Sequence, residues 1–283
     1  MIYLFLSILS STGIFILFKS FKKYNVNTLQ AIVVNYFTAC ILGSYLYETE
    51  IDPITIANST WFYRAIFLGF LFIAIFNVMA LTVQKNGLSV ASVAGKMSVI
   101  IPIIFGIIVF NESVRFIKIF GIILALIAVY LTSIKERDNI VLTQSIYLPI
   151  LLFIGSGTID TLVNYFAPDD KIPLFSATIF GIAFCVGLFV LIYKSARKTS
   201  RFEIKSIPFG VALGTINYAS IYYLLKALRV DGYETSTVFT INNVTIVAFS
   251  TLIGLILFKE KISLKNWIGI IIAIVSIIIV TLK

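Results

Sequence analysis

The sequence predicts an all-α membrane protein of ten transmembrane helices, arranged as two inverted five-helix repeats around a central cavity. Three observations support this prediction: an apolar composition, ten separate apolar tracts, and an ordered series of matches between the two halves. Of the 283 residues, 59% are apolar and 12% are charged. A soluble domain has about 45–50% apolar and about 25% charged residues, so most of this surface must face lipid.

Ten tracts between charged breaks are long enough to cross a bilayer as helices, which takes about 17–25 mainly apolar residues. The tracts do not alternate apolar and polar residues, as the strands of a membrane β-barrel do. The first is apolar from Ile2 and carries its lysines behind it, so we expect a retained span and not a cleaved signal. Helices are predicted over residues 2–18, 28–47, 61–83, 88–110, 116–134, 146–166, 173–193, 208–225, 235–258 and 266–282.

The second half of the chain repeats the first. A shift of 145 residues lays Cys40 on Cys185 and Gly69 on Gly214. After a three-residue insertion, a shift of 148 lays the end of the fourth tract on the end of the ninth. Five spans is an odd number, so the second copy must enter the membrane in the opposite orientation, as in transporters with a site between inverted halves. The predicted domains are residues 1–138 and 139–283.

The loops give an uneven count of basic residues. Loops after the odd-numbered spans hold fourteen lysines and arginines, and loops after the even-numbered spans, with the C-terminus, hold seven. Because cytoplasmic loops are enriched in these residues, the count favours odd loops in the cytoplasm and both termini outside. The net charge of +9 is spread over many short loops, which argues against a nucleic-acid partner and fits contact with the lipid bilayer.

The chain lacks the residues that several classes of protein function require. The chain has no histidine and two cysteines, so we expect no metal site, disulfide framework or cofactor. It has no phosphate-binding loop, nucleophile elbow or metal-ligand motif, so neither an enzyme nor an ATP-driven pump is predicted.

Short motifs make the chain resemble the drug/metabolite transporter superfamily, specifically the ten-span EamA-type transporters. The first tract carries Ser10-Ser11-Thr12-Gly13, and the fourth begins Ser89-Val90-Ala91-Ser92 and ends Phe110-Asn111-Glu112. The second half repeats that ending as Phe258-Lys259-Glu260. One departure is the family's mid-helix proline, since Val99 stands in its place. The resemblance implies a multi-pass protein of a bacterial inner membrane, with both termini in the cytoplasm, against the charge count.

Two ionisable residues lie deep inside predicted spans, Lys96 in the fourth and Asp160 in the sixth. A charge at the centre of a membrane helix costs about 2.5–3.5 kcal/mol, so both should face a cavity or each other rather than lipid. Ser156 and Asn164 lie one turn before and after Asp160, and this polar stripe is typical of a cavity wall. A carboxyl group removed from water holds a proton more readily, which makes Asp160 the candidate for proton coupling. The alternative is a buried ion pair that only fixes helix packing.

The eighth and ninth spans add amides and hydroxyls that could bind a polar solute or could join helices instead. Together with the charged pair and the residues beside Asp160, they form the predicted substrate-binding set: Lys96, Ser156, Asp160, Asn164, Asn217, Tyr218, Asn242 and Asn243.

These residues, with the resemblance, predict a secondary transporter or exporter of a small polar metabolite that works by alternating access. An amino acid is the leading substrate, because Lys96 could bind its carboxylate and Asp160 its ammonium group. A sugar, nucleoside or drug carrier is the first alternative. The second is a flippase for a lipid-linked substrate, in which Lys96 would contact a phosphate.

Overall fold

The described part of the chain is helical and contains no strand. The computed structural model describes residues 1–47, 53–85, 91, 94–96, 98–109, 116–133, 147–169, 171–197, 202–258 and 264–281. Its helices are α1 (Ile2–Lys23), α2 (Thr28–Tyr45), α3 (Pro53–Ala57), α4 (Phe62–Lys85), α5 (Ile100–Val109), α6 (Phe116–Ser133), α7 (Tyr147–Phe166), α8 (Ile172–Ala196), α9 (Ser206–Leu228), α10 (Thr235–Phe258) and α11 (Leu264–Thr281).

Each of the ten predicted tracts overlaps a described helix, but the fourth is not one continuous helix, because residues 98–99 form a turn before α5 begins at Ile100. Within the described ranges, six helices are long and apolar enough to cross a membrane, namely α1, α2, α4, α7, α8 and α10. Shorter apolar stretches occupy residues 94–109, 119–128 and 267–276. Helix α9 is absent from both groups because Asn217, Tyr218 and other polar residues lower its hydropathy, and both of these side chains are buried inside the protein.

The end of α1 and the short helix α3 also differ from the predictions. Helix α1 continues from the predicted end at residue 18 to Lys23. Lysines do not stop a helix, because their long side chains can carry the charge to the membrane surface while the backbone stays helical. The short helix α3 was not predicted, since five residues are too few to give a periodic pattern.

Helices α2, α8 and α9 form the centre of the fold. Helix α2 packs against both α8 and α9, while α1 packs on α9 and α4 packs on α7 and α8. Tyr36 of α2 is fully buried, stacks on Phe180 of α8 at 5.9 Å between ring centroids, and donates a hydrogen bond to the Phe72 carbonyl at 2.9 Å. The remaining helices lie to the side, where α6 packs on α11 and α10 contacts α1, α5 and α6.

Two of the matched glycines allow helices to approach closely, as expected in a membrane protein. A β-carbon on Gly69 of α4 would lie 2.6 Å from Ile182 Cγ2 of α8, and one on Gly214 of α9 would lie 2.5 Å from the Asn35 carbonyl oxygen of α2. Both distances are shorter than any real contact, so only glycine fits at these crossings.

Some of the sequence predictions fall outside the described residues. They are the motif residues Ser89-Val90 and Ser92, the Phe110-Asn111-Glu112 ending and the Lys259-Glu260 part of its repeat.

Candidate functional site

A cavity of about 100 Å³ lies between α1, α4, α7, α9 and the segment at residues 95–96. The helices that line it come from both halves of the chain. Its apolar wall includes the rings of Phe15, Phe72 and Phe76 together with Met79. Its polar lining consists of Ser11, Lys96, Ser156, Asp160, Asn217 and Ser220.

Lys96 and Asp160 bring opposite charges to this cavity. Both side chains are half-buried, and their charges attract each other through the protein interior. Among the described residues, however, no hydrogen bond or ion pair within 4.0 Å joins the two. The Lys96 ammonium lies 5.9 Å from the centre of the Phe15 ring. Within the described residues, neither charge therefore forms a direct ion pair.

Asp160 and Ser156 reach the cavity because they lie one turn apart on the same face of α7. The hydroxyl oxygen of Ser156 is buried and has no hydrogen-bond partner in the described part of the chain. By contrast, Thr158 and Thr161 on the same helix donate to the carbonyls of Ile154 and Gly157 at 2.8 and 2.7 Å. This bond to the preceding turn is the usual way in which a hydroxyl is satisfied inside a helix. Ser156 instead offers a free hydroxyl beside the carboxylate.

A chain of serines borders the cavity where α1 meets α9. The Ser11 and Ser220 hydroxyls are 2.6 Å apart, and Ser7 donates to the Ser220 carbonyl at 3.1 Å. Ser7 also contacts Asn242 Oδ1 at 3.3 Å, which extends the chain to α10. These contacts join three helices from both halves, so Ser11 and Ser220 are part of the cavity wall and of the helix packing at once.

Four of the predicted substrate-binding residues lie together around the cavity: Lys96, Ser156, Asp160 and Asn217. The Asn217 amide also lies 3.1 Å from the Asn35 amide of α2, which fixes its orientation. Their role in binding stays a prediction.

The other four predicted residues do not line the cavity. Asn164 lies in the last turn of α7, where Arg229 covers its side chain. The Asn164 amide oxygen accepts a hydrogen bond from Arg229 at 3.0 Å. Tyr218 packs on Tyr222 with ring centroids 5.7 Å apart, and its buried hydroxyl has no hydrogen-bond partner among the residues that the structure describes. Asn242 contacts Ser7, as described above. Asn243 is 1% exposed, and neither atom of its amide has a hydrogen-bond partner in the described residues.

The sequence did not single out several residues that line the cavity. Ser11 was quoted as part of a small-residue motif, while Phe15, Phe72 and Phe76 are ordinary apolar residues for a membrane helix. No sequence signal separates an aromatic ring at a cavity from one in the core or in lipid. Within the described ranges, no group of three or more His, Cys, Asp or Glu side chains could hold a metal ion.

Known proteins of three kinds are similar to this chain: a family, a curated relative and a solved structure. Residues 1–134 match the model of the EamA-like transporter family, which confirms the resemblance seen in the motifs. The chain is 29% identical over 279 residues to an uncharacterized protein of Haemophilus influenzae, covering 95% of this chain and 93% of that protein. A solved crystal structure of another protein is similar in fold, with a TM-score of 0.69, 11% identity, and coverage of 99% of this chain and 95% of the other.

Proposed function

Residues 1–134 belong to the EamA-like transporter family, whose members are membrane transporters and not enzymes, and on this premise we propose that the chain is a secondary transporter of a small amino acid. The solute binds in the cavity between α1, α4, α7 and α9, and it crosses the membrane by alternating access. The protein is a multi-pass membrane protein, and we assign it to a bacterial inner membrane as part of the proposal.

The contacts between helices support ten spans in two inverted repeats. In such a repeat α1, α2, α4, α5 and α6 are equivalent to α7, α8, α9, α10 and α11. If each helix is replaced by its equivalent in the other repeat, each contact should become a second contact. The α2–α9 contact becomes α8–α4, and the α1–α9 contact becomes α7–α4. The α1–α10 contact likewise becomes α7–α5. All six contacts occur in the fold.

The contacts of two further glycines support the same symmetry at the level of atoms. A β-carbon on Gly43 of α2 would lie 2.8 Å from Ala177 Cβ of α8, and one on Gly187 of α8 would lie 2.8 Å from Val33 Cγ2 of α2. The two glycines are 144 residues apart, and so are their partners. This spacing is one residue shorter than the sequence shift and supports repeats over residues 1–138 and 139–283. Two such halves, related by a two-fold axis in the membrane plane, are the common architecture of alternating access.

The observation that carries the substrate proposal is that Lys96 and Asp160 line one cavity and form no ion pair within the described residues. The carboxylate of an amino acid would bind the Lys96 ammonium, and its ammonium group would bind the Asp160 carboxylate, with Ser156 as a further hydrogen-bonding group. Each charge of the protein would then be neutralised by the solute, which offsets the cost of keeping both inside the membrane. An apolar side chain of the solute would face the rings of Phe15 and Phe76.

The size of the cavity favours a small solute over the alternatives. Sites for drug-sized ligands are usually about 300–1,000 Å³, whereas this cavity is about 100 Å³. A nucleoside or drug would need a much larger space than the described conformation offers. The flippase alternative needs a lateral path for a lipid tail, and the test below separates it from the transport of a free solute.

The test is uptake into proteoliposomes of labelled amino acids, sugars and nucleosides, with and without a proton gradient. We expect saturable uptake of a small amino acid that is weakened in Lys96→Met and in Asp160→Asn, with residual uptake at high solute concentration. The matched control is Thr158→Val, on the same helix as Asp160, because the hydroxyl of Thr158 only bonds its own helix. Uptake that is intact in both charge variants would reject the binding roles, and movement of a labelled lipid-linked phosphate instead would support the flippase.

A further inference from the structure

The helix that carries Asp160 ends close to the cavity, and its last turn is held from three sides. Asn164 follows Asp160 by one turn and is 7% exposed, and α7 ends at Phe166. The ring of Tyr165 contacts that of Phe105 of α5 at 5.2 Å between centroids. The Arg64 guanidinium, near the start of α4, lies 4.7 Å from the centre of the Phe166 ring.

The third contact comes from Arg229, which directly follows α9. Its guanidinium donates to Asn164 Oδ1 at 3.0 Å, to the Asn164 carbonyl at 3.3 Å and to the Ala167 carbonyl at 2.9 Å. Its Nε forms an ion pair with Asp169. The planar fork of an arginine suits such multiple bonding, and a lysine could not satisfy all four acceptors.

The exposure of these groups changes in steps from the protein interior to water. Asn164 is buried, the Arg229 side chain is 26% exposed, and the Asp169 side chain is 84% exposed. The polar stripe of α7 therefore runs from Ser156 and Asp160 in the cavity to Asn164, where Arg229 covers it. On the outer side of Arg229 lies a polar surface pocket of about 440 Å³, lined by Asp169, Asp231 and Tyr233 among others.

We propose that Arg229 is a positioning residue that acts as a latch, closing the cavity on the side of the membrane where α7 and α9 end. In the described conformation it ties the end of α7 to the end of α9. Release of its bonds to Asn164 and Ala167 frees the last turn of α7, so that the polar stripe becomes continuous with the surface pocket. This inference rests on the proposed function, because it assigns the gate of the same cavity.

A purely structural role would also account for part of this geometry. An arginine that binds the last carbonyls of a helix stabilises its C-terminus, whatever the helix does. The two roles differ in one measurable respect. A latch controls entry to the cavity from one side of the membrane, whereas the loss of a structural cap loosens the protein without regard to side.

The test measures access to the cavity from each side. Cys40 and Cys185 are replaced by alanine, and Ser156→Cys places a thiol in the cavity wall. A membrane-impermeant trimethylammonium thiosulfonate is then added to right-side-out and to inside-out vesicles. We expect Arg229→Gln to speed labelling of this thiol by about tenfold from the side that carries Asp169, since two or more charge-assisted bonds are lost, and to leave the rate from the other side unchanged.

Two further variants keep the test decisive. Lys226→Gln removes a charge from the last turn of α9 that lies over the Tyr222 ring, and it should leave both rates unchanged. If Arg229→Gln does not fold, Asp169→Asn, at an exposed position, should still raise the rate from its own side by about threefold. Unchanged rates in both variants, or an equal rise from both sides, would overturn the latch. Labelling needs no solute, so this result stands apart from that of the uptake assay.

Discussion

Replacing Gly214 by alanine should force α2 and α9 apart at the centre of the fold. The added β-carbon would lie 2.5 Å from the Asn35 carbonyl oxygen and 2.7 Å from Thr38 Cβ. Non-bonded atoms normally approach to about 3.5–4.0 Å, so the two backbones must separate by about 1 Å. Overpacking of this kind costs about 1–3 kcal/mol, and we place Gly214→Ala at the upper end because a backbone carbonyl cannot rotate away.

The assay is thermal unfolding of the purified protein in detergent, followed by the loss of the monodisperse chromatographic peak. Gly69→Ala should also be destabilising, since its β-carbon would lie 2.6 Å from Cγ2 and 2.7 Å from Cβ of Ile182, and a change of rotamer cannot move the Cβ atom away. Gly95→Ala is the control, because its nearest neighbour would be Ser156 Oγ at 3.9 Å, an ordinary contact. If Gly214→Ala is as stable as the wild type, or Gly95→Ala is equally destabilised, the described α2–α9 crossing is wrong.

Three further changes have defined outcomes. Asn243→Leu should raise the melting temperature, because it removes a buried amide that has no hydrogen-bond partner among the described residues, which costs about 1–3 kcal/mol; a lower melting temperature would contradict the burial described here. Ser11→Ala removes the 2.6 Å contact with Ser220 and should lower the free energy of unfolding by only about 0.6 kcal/mol in the same assay. A much larger loss of stability would contradict this value. Asp160→Asn should abolish any stimulation of uptake by a proton gradient, and full stimulation in this variant would exclude it as the coupling carboxyl.

The helices were largely predictable because every span in lipid must satisfy its backbone hydrogen bonds internally. An apolar run of sufficient length must form a helix to satisfy its backbone, so the tracts themselves show where the helices lie. The ends were harder, as α1 shows, because the three lysines after residue 18 continue the helix instead of ending it. A charged residue marks the membrane surface more reliably than it marks the end of a helix.

The sequence could indicate site residues only where a polar or charged side chain inside a membrane span costs free energy. Lys96 and Asp160 stood out because charges are rare in spans, and both line the cavity. The neighbours Asn217 and Tyr218 look alike in the sequence, yet only Asn217 reaches the cavity. The rotation of α9 decides between them, and it is fixed by packing at Gly214.

Contacts between distant parts of the chain could not be predicted from spacing. Ser11 and Ser220 are brought together across 209 residues, and Arg229 reaches Asn164 across 65. Of the polar stripe predicted as a cavity wall, Ser156 and Asp160 line the cavity, whereas Asn164 does not. The sequence could not show that Arg229 would cover its last member.

The most direct test of the proposed site compares an amino acid with two analogues that each lack one charge. In the wild type, the N-acetyl and the amide forms should compete for uptake at least about tenfold less well than the zwitterion. Lys96→Met should remove the discrimination against the amide, which lacks the carboxylate, and Asp160→Asn should remove that against the N-acetyl form, which lacks the ammonium group. Equal competition by all three forms in the wild type would contradict a site in which Lys96 and Asp160 bind the two ends of a zwitterion.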